Sequence, residues 1–285
     1  MPRNNQDRLG PQVENTDPPI SQSLEKPFAP PLQFVVPTEF VELPSRGQFY
    51  PEGHPLQDVG EVEIKFMTAK EEDILTDKTL LKKGIAIDRL VRSLIINKSI
   101  SPDSLFVGDR NAILIAARAS GYGAEYDTKV ICPVCFAHGR HEFNLEEAKV
   151  LTNENLEELG VHRTSAGTIL FTTPKMGVEV ECKMLTGADE KKMIAQQKNN
   201  KKLKLPEKNL TSQLKTIIVS VNGHDDRPYI NSFIEAVTAS DSRFIRTTYQ
   251  KCVPNVELKE EFVCGECEAS TTIDVPFTTD FFWPQ

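Results

Sequence analysis

Val130–Phe143 reads VICPVCFAHGRHEF, with two cysteines, Cys132 and Cys135, separated by two residues and flanked by strand-like sequence. Such a pair is a redox motif, a disulfide or half of a metal site. A metal site needs two more ligands. Cys264 and Cys267 supply them, again two residues apart, after VELKEEFV and before STTIDV. Structural zinc takes four ligands in a tetrahedron, and a two-residue turn lets both thiolates of a pair converge on one ion. The set Cys132, Cys135, Cys264 and Cys267 therefore points to one structural Zn2+. Four thiolates leave no open position for catalysis. A redox pair, disulfides and unmetallated core thiols are the other readings, although neither pair sits at the start of a helix in a thioredoxin-like unit. His138 and His141 read as exposed loop residues beside a complete cysteine set. Cys182 and Cys252 lack the spacing and read as packed or partly buried thiols.

The 128 residues between Cys135 and Cys264 exceed ordinary zinc-ribbon spacing, and an internal duplication accounts for them. Outward from the first pair, YDTKV (Tyr126–Val130) reads as a strand and GDRNAILIAARASGYG (Gly108–Gly123) as a helix capped by Asp109. AIDRLVRSLI (Ala86–Ile95) is an amphipathic helix, and EVEIKFMTAKEEDIL (Glu61–Leu75) is a strand passing into a helix with a Thr68–Glu71 capping box. The same order precedes the second pair. VELKEEFV (Val256–Val263) is a strand, SDSRFIRTTYQKC (Ser240–Cys252) a helix starting near Ser240 or Asp241, and LTSQLKTIIVSV (Leu210–Val221) an amphipathic helix. GVEVECKMLTGADEKKMIAQQ (Gly177–Gln197) is a strand followed by a helix that Thr186 starts, with Asp189 three residues on. YINSFIEAVTA is an added helix, and TILFTTP with GVEVECKML reads as a β-hairpin. Arg110 to Cys132 spans 22 positions and Arg243 to Cys264 spans 21.

The fold class expected is α+β: mainly helical repeats with short strands, joined through a split zinc-ribbon-like β module built by the two knuckles. Residues 1–38, rich in Pro, Asn, Gln and Ser, form a flexible arm that cannot bury enough surface to offset its ordering entropy. Residues 39–150 hold the first repeat and knuckle. Residues 151–285 hold the hairpin, the second repeat and knuckle, and an aromatic C-terminus. FVELPSRGQFYPEGHPL (Phe40–Leu56) is a turn-rich connector, anchored by Phe49 and Tyr50.

The 285 residues carry a net charge of −8, with 39% hydrophobic and 26% charged residues, and a pI of about 5.3. That balance lacks the basic footprint of a nucleic-acid binder. No apolar run of about 18 residues is present, so no membrane insertion is expected. The opening MPRNNQDRLG lacks the apolar core of a secretory signal, so the expected setting is a reducing cytoplasm, where structural disulfides are rare. No phosphate loop, dinucleotide fingerprint or nucleophile elbow appears, and no enzyme is expected. The basic run KNNKKLKLPEK (Lys198–Lys208) has no interleaved aromatic residues and reads as a solvated loop or protein-docking patch. A zinc-ribbon transcription or nucleic-acid regulator is the competing class. Glu257, Glu260, Glu261, Glu266 and Glu268 around the second pair would repel phosphate.

The C-terminus, VPFTTDFFWPQ, gathers Phe277, Phe281, Phe282 and Trp283, the last being the sole tryptophan. Aromatic anchors dominate protein interfaces, so Phe281, Phe282 and Trp283 are the expected partner-binding residues; the other reading packs these rings onto the chain's own core. ELPSRGQFYPEGHPL, VEIKFMTAKEEDIL, the two Cys-x-x-Cys motifs and PFTTDFFWP together resemble baseplate proteins of T-even-type contractile-tailed bacteriophages, nearest to subunits involved in baseplate hub assembly. The resemblance covers roughly residues 40–285. It implies a structural or assembly protein made in the host cytoplasm, partnered by other baseplate or hub proteins and destined for, or acting on, the virion tail.

Overall fold

β1 (Thr38–Glu42) and β2 (Glu61–Lys65) pair antiparallel, Thr38 opposite Lys65. The turn-rich segment between them folds inward, burying Leu43, Phe49, Tyr50 and Leu56. Its tightest point is Gly47, at φ +73°, where a Cβ would lie 2.3 Å from the Val59 nitrogen and 2.4 Å from the Leu56 oxygen, so only glycine fits. This is a computed structural model, and it describes residues 35–152, 156–203, 209–275 and 279–282. Most of the expected arm, together with Phe277 and Trp283, lies outside the described residues, as does the end of the basic run.

Three helices follow: α1 (Ala69–Thr76), α2 (Lys78–Lys83) and α3 (Ala86–Leu94). Asp77 separates the first two because its carboxylate accepts from the Thr79 and Leu80 amides, starting a new helix. Leu90, Val91 and Leu94 form the buried stripe of α3. α4 (Val107–Tyr122) crosses beneath β1 and leads into β3 (Glu125–Ile131), β4 (His138–Asn144) and the short β5 (Lys149–Leu151).

The second stretch opens with β6 (His162–Arg163), β7 (Thr168–Thr172) and β8 (Glu179–Lys183), the expected hairpin with one added strand. α5 (Gly187–Lys202) and α6 (Asn209–Ile217) come next, then β9 (Ile218–Val221), α7 (Arg227–Ala236) and α8 (Ala239–Cys252). β10 (Asn255–Glu257), β11 (Lys259–Val263), β12 (Ser270–Asp274) and a short 3-10 turn at Thr279–Phe282 complete the described chain. β6-β7-β8-β9 form one sheet, and β5 pairs with β10, Val150 opposite Val256.

The class is α+β, with more strand than the sequence reading allowed. Leu210–Val221 is not one helix: α6 ends at Ile217, and the β-branched run that follows adds to the β8 edge as β9. Asp109 is not the cap of α4, which begins after Phe106. Its buried carboxylate instead accepts from the Ser45 amide (2.9 Å), the Ser45 hydroxyl (2.6 Å) and the Tyr50 hydroxyl (2.8 Å), tying the β1–β2 turn to the helix. Asp241 does the same work near the start of α8. It accepts from the Lys175 and Met176 amides in the β7–β8 turn, each at 3.0 Å.

Local structure recurs elsewhere. EVEIK (Glu61–Lys65) and EVECK (Glu179–Lys183) are second strands of hairpins with one burial pattern. After each, a lysine, a threonine and a carboxylate interlock. Lys65 Nζ meets Glu71 at 2.7 Å and Lys183 Nζ meets Asp189 at 2.6 Å. The Thr68 and Thr186 amides donate to those carboxylates at 3.1 and 3.2 Å. Each member of the second set lies 118 positions after its counterpart (65 to 183, 68 to 186, 71 to 189).

Two apolar clusters fill the interior. One joins Leu90, Leu94, Ile113 and Phe143 to Phe262, Val275, Phe281 and Phe282; the other joins Ile169, Val180, Ile217, Ile234 and Ile245, and takes Phe49 from the β1–β2 turn. The C-terminal β-hairpin thus completes the core begun by the N-terminal helices.

Candidate metal centre

Two hairpins, β3–β4 and β11–β12, stack inner face to inner face. Alternation along each strand turns Tyr126, Val130 and Phe143 inward from one hairpin and Phe262 from the other. Gly139 lets them approach: a Cβ there would stand 3.1 Å from the Phe262 ring. His141 lies edge-on to Phe262 with centroids 5.8 Å apart, and its Nε2 is 3.1 Å from Glu260, which also accepts from the Asn144 amide at 2.7 Å.

Each hairpin ends in a cysteine turn of one geometry. The Cys132 amide donates to Ala137 O (2.9 Å) and the Phe136 amide to Cys132 O (2.9 Å); the Cys264 amide donates to Ala269 O (3.1 Å) and the Glu268 amide to Cys264 O (3.0 Å). Phe136 and Glu268 hold φ values of +60° and +54°. Corresponding residues are 132 positions apart (132 to 264, 135 to 267, 136 to 268), as are Asp109 and Asp241.

These turns bring the four predicted sulfurs together. Cys132 Sγ lies 3.8 Å from Cys267 Sγ, and Cys135 Sγ 3.7 Å from Cys264 Sγ. All four lie within 4.8 Å of one another. A regular tetrahedron with metal–sulfur bonds of about 2.3 Å has sulfur–sulfur edges of about 3.8 Å, so the donor set and its spacing fit a tetrahedral thiolate site. Cys132 and Cys264 are buried, Cys135 and Cys267 exposed. The Cys135 and Val134 amides, with the neighbouring thiols, draw the Cys132 thiol down to about 7 against its desolvation. Cys135 moves up to about 12: the Ala137 amide favours its thiolate, but the hydrogen bonds with Cys267, Cys132 and Cys264, together with desolvation, outweigh it. Four sulfurs this close share protons unless a cation holds them as thiolates.

His138 is exposed and His141 is engaged with Glu260, so neither belongs to the cluster. Cys182 and Cys252 are buried in the other apolar cluster, where burial pushes both thiols up, Cys252 to about 11. At the C-terminus, Phe281 and Phe282 are each 2% exposed. Phe281 packs edge-on to Tyr126 (5.1 Å) and accepts from Arg118 Nε through its carbonyl (2.9 Å). Their rings therefore serve the chain's own core, the second of the two sequence readings. Sequence reasoning missed Arg118, a fully buried guanidinium that also donates to Gly123 O (2.7 Å) and Glu125 O (3.2 Å). No pattern around RASGYG distinguishes it from a surface helix residue.

Residues 36–283 match the family model described as T4 bacteriophage base plate protein. The chain belongs to that family. No curated protein and no solved structure gives a match. Among the described residues, no helix is long and apolar enough to cross a membrane.

Proposed function

We propose that this protein is a structural or assembly subunit of the tail baseplate hub, working through protein–protein contacts and stapled internally by one structural zinc. Family membership over residues 36–283 supports the baseplate role, and the convergence of four cysteine sulfurs within 4.8 Å carries the zinc reading. The ion would be held by Cys132, Cys135, Cys264 and Cys267, closing a loop of 128 residues between the pairs, where a cross-link restricts the unfolded chain most. The two halves are read as degenerate copies, 39–150 and 151–285, each giving one knuckle to a shared zinc-ribbon-like module. The repeated lysine–threonine–carboxylate interlock and the repeated cysteine turn support that reading. The setting is the host cytoplasm during assembly, and the virion tail baseplate for a subunit that stays in the particle.

Metal analysis of the purified protein should find about one zinc per chain. Co-expression with other baseplate proteins of its phage should yield a complex that survives purification. A stable metal-free protein overturns the zinc reading. Nucleic-acid binding that persists at physiological salt, with no baseplate partner, overturns the assembly reading in favour of a regulator. With Phe281 and Phe282 in the core, the proposal of a C-terminal docking residue rests on Trp283, and Trp283→Ala in the same co-purification tests it.

A further inference from the structure

The two cysteine turns share a backbone and differ in what they present to solvent. The second turn, CGECEA (Cys264–Ala269), shows Gly265, Glu266 and Glu268. The first, CPVCFA (Cys132–Ala137), shows Val134, 58% exposed, and Phe136, 74% exposed; the strand residue before each turn is apolar and exposed in both, Ile131 at 57% and Val263 at 63%, so the difference lies in the turns themselves. Phe136 is the least expected of these. Its φ of +60° is a backbone conformation that glycine adopts freely and that bulky side chains avoid. Its ring is mostly in water, and the matching position holds a glutamate in the same conformation. The fold needs no aromatic ring there, so the reason for one lies outside the chain.

The only charged residues within the two turns are acidic. Four sulfurs within 4.8 Å set the two turns side by side, so the apolar first turn is flanked by Glu266 and Glu268, which have no ion-pair partner among the described residues. On these two hairpins Arg140 and Lys259 are engaged by Asp127 and Glu257. Lys129 lies directly across the β3–β4 hairpin from Arg140, two positions before Ile131, and has no ion-pair partner among the described residues, so the purely acidic character belongs to the turn tips and not to the strands behind them. A centre of four thiolates and one divalent cation would add two further negative charges.

We infer that the tip of the first cysteine turn, Ile131, Val134 and Phe136 with the Glu266–Glu268 flank, is a docking site for another baseplate protein that offers an apolar pocket for the Phe136 ring, rimmed by lysine or arginine. An exposed aromatic anchor beside complementary charge is the arrangement that dominates interface energetics and sets orientation. The partner pool rests on the baseplate reading; the location of the contact does not.

Phe136→Gly tests it, because glycine is the residue this backbone prefers. The variant should keep its metal content and thermal midpoint. Co-expressed in turn with each other baseplate protein of its phage, it should lose at least tenfold in affinity for the protein that wild type binds. Glu266→Lys with Glu268→Lys should weaken the same complex and flatten its dependence on salt. If wild type binds a baseplate protein and Phe136→Gly binds it equally well, the docking site is wrong and the baseplate reading stands. If wild type binds none of them, the baseplate reading fails. If wild type instead self-associates in sedimentation and Phe136→Gly abolishes that, the occupant is a second copy and the heterologous partner is overturned.

Discussion

Glu71 and Asp189 occupy matching places after matching strands, yet their surroundings differ. Glu71 is fully buried: α1 packs on α3, and Ser93 of α3 adds a hydroxyl to the lysine and threonine that already bind the carboxylate. Burial opposes its ionisation, but the hydrogen bonds from Lys65, Ser93 and Thr68 outweigh burial and hold it down to about 2. Asp189, one methylene shorter, has no serine partner; Lys183 and Thr186 lower it against desolvation. Its helix, α5, leaves residues 194–199 exposed. A local interlock can thus persist with the strand that presents it while the packing around it diverges. The short-range geometry is set within seven residues, Lys65–Glu71 and Lys183–Asp189, and the environment by distant ones.

The largest effect separates the shared centre from everything local. Cys264→Ser should lose the metal and much of the stability, since binding at structural zinc sites contributes on the order of 10 kcal/mol to folding. Metal content and thermal unfolding measure both. Cys132→Ser should match it if the two turns are equivalent; a variant that kept its zinc in only one case would break the symmetry.

The next effect sharpens the contrast between the carboxylates. Glu71→Gln should destabilise by about 2–3 kcal/mol, the scale of removing one partner from a buried charged network. Asp189→Asn should cost less, roughly 1–2 kcal/mol, because Asp189 is also buried but its partner Lys183 is about a third exposed and no serine adds a third side chain. The pH dependence has a definite sign. Glu71 has a folded pKa near 2, below its ordinary 4.5, so its contribution is present above about pH 4.5 and is lost as pH falls from there toward 2. Chemical denaturation from pH 6 to 2.5 should show a steeper loss in wild type than in Glu71→Gln. Equal slopes would mean that Glu71 is not tied down as described.

The smallest effect compares the hairpin faces. Phe262 stands where the first hairpin has Val130, and Gly139 where the second has Thr271 (130 to 262, 139 to 271). The larger ring opposes the missing side chain. Gly139→Ala should cost about 1 kcal/mol through the 3.1 Å approach to Phe262. Adding Phe262→Leu should recover part of that in a double-mutant cycle.

The clustering of the four cysteines was legible because two Cys-x-x-Cys pairs, each between strands, have few uses other than to meet. The Thr68–Glu71 and Thr186–Asp189 starts were legible because capping is local. β1 and β5 escaped because short strands carry little periodic signal, and β10 was merged with β11 in the single strand read over Val256–Val263, which breaks at Leu258. β9 was absorbed into a helix because the apolar spacing of TIIVSV also suits a helix, and only the waiting edge of β8 decides. The role of Asp109 was hidden for a related reason: a carboxylate near a helix start looks like a cap, while its partners Ser45 and Tyr50 lie 64 and 59 positions away. EVEIK and EVECK lead into Thr68 and Thr186, which the sequence reading already placed at matching helix starts; aligning the strands extends that local match to a lysine and a carboxylate 118 positions apart.

Arg118 meets the Phe281 carbonyl across 163 positions, and Phe262, Val275, Phe281 and Phe282 fill the cluster begun by α3 and α4. A ribosome adding about 5–20 residues per second therefore spends roughly ten to thirty seconds with α3 and α4 made and their closing side chains not yet synthesised. During that interval Leu90, Leu94 and Ile113 have no C-terminal rings to cover them. Chains truncated just before Phe281 should be captured by host holdase chaperones and cleared by proteases, while chains that extend past Phe282 escape, so quality control at the ribosome would sample this protein by whether residues 262–282 have been made.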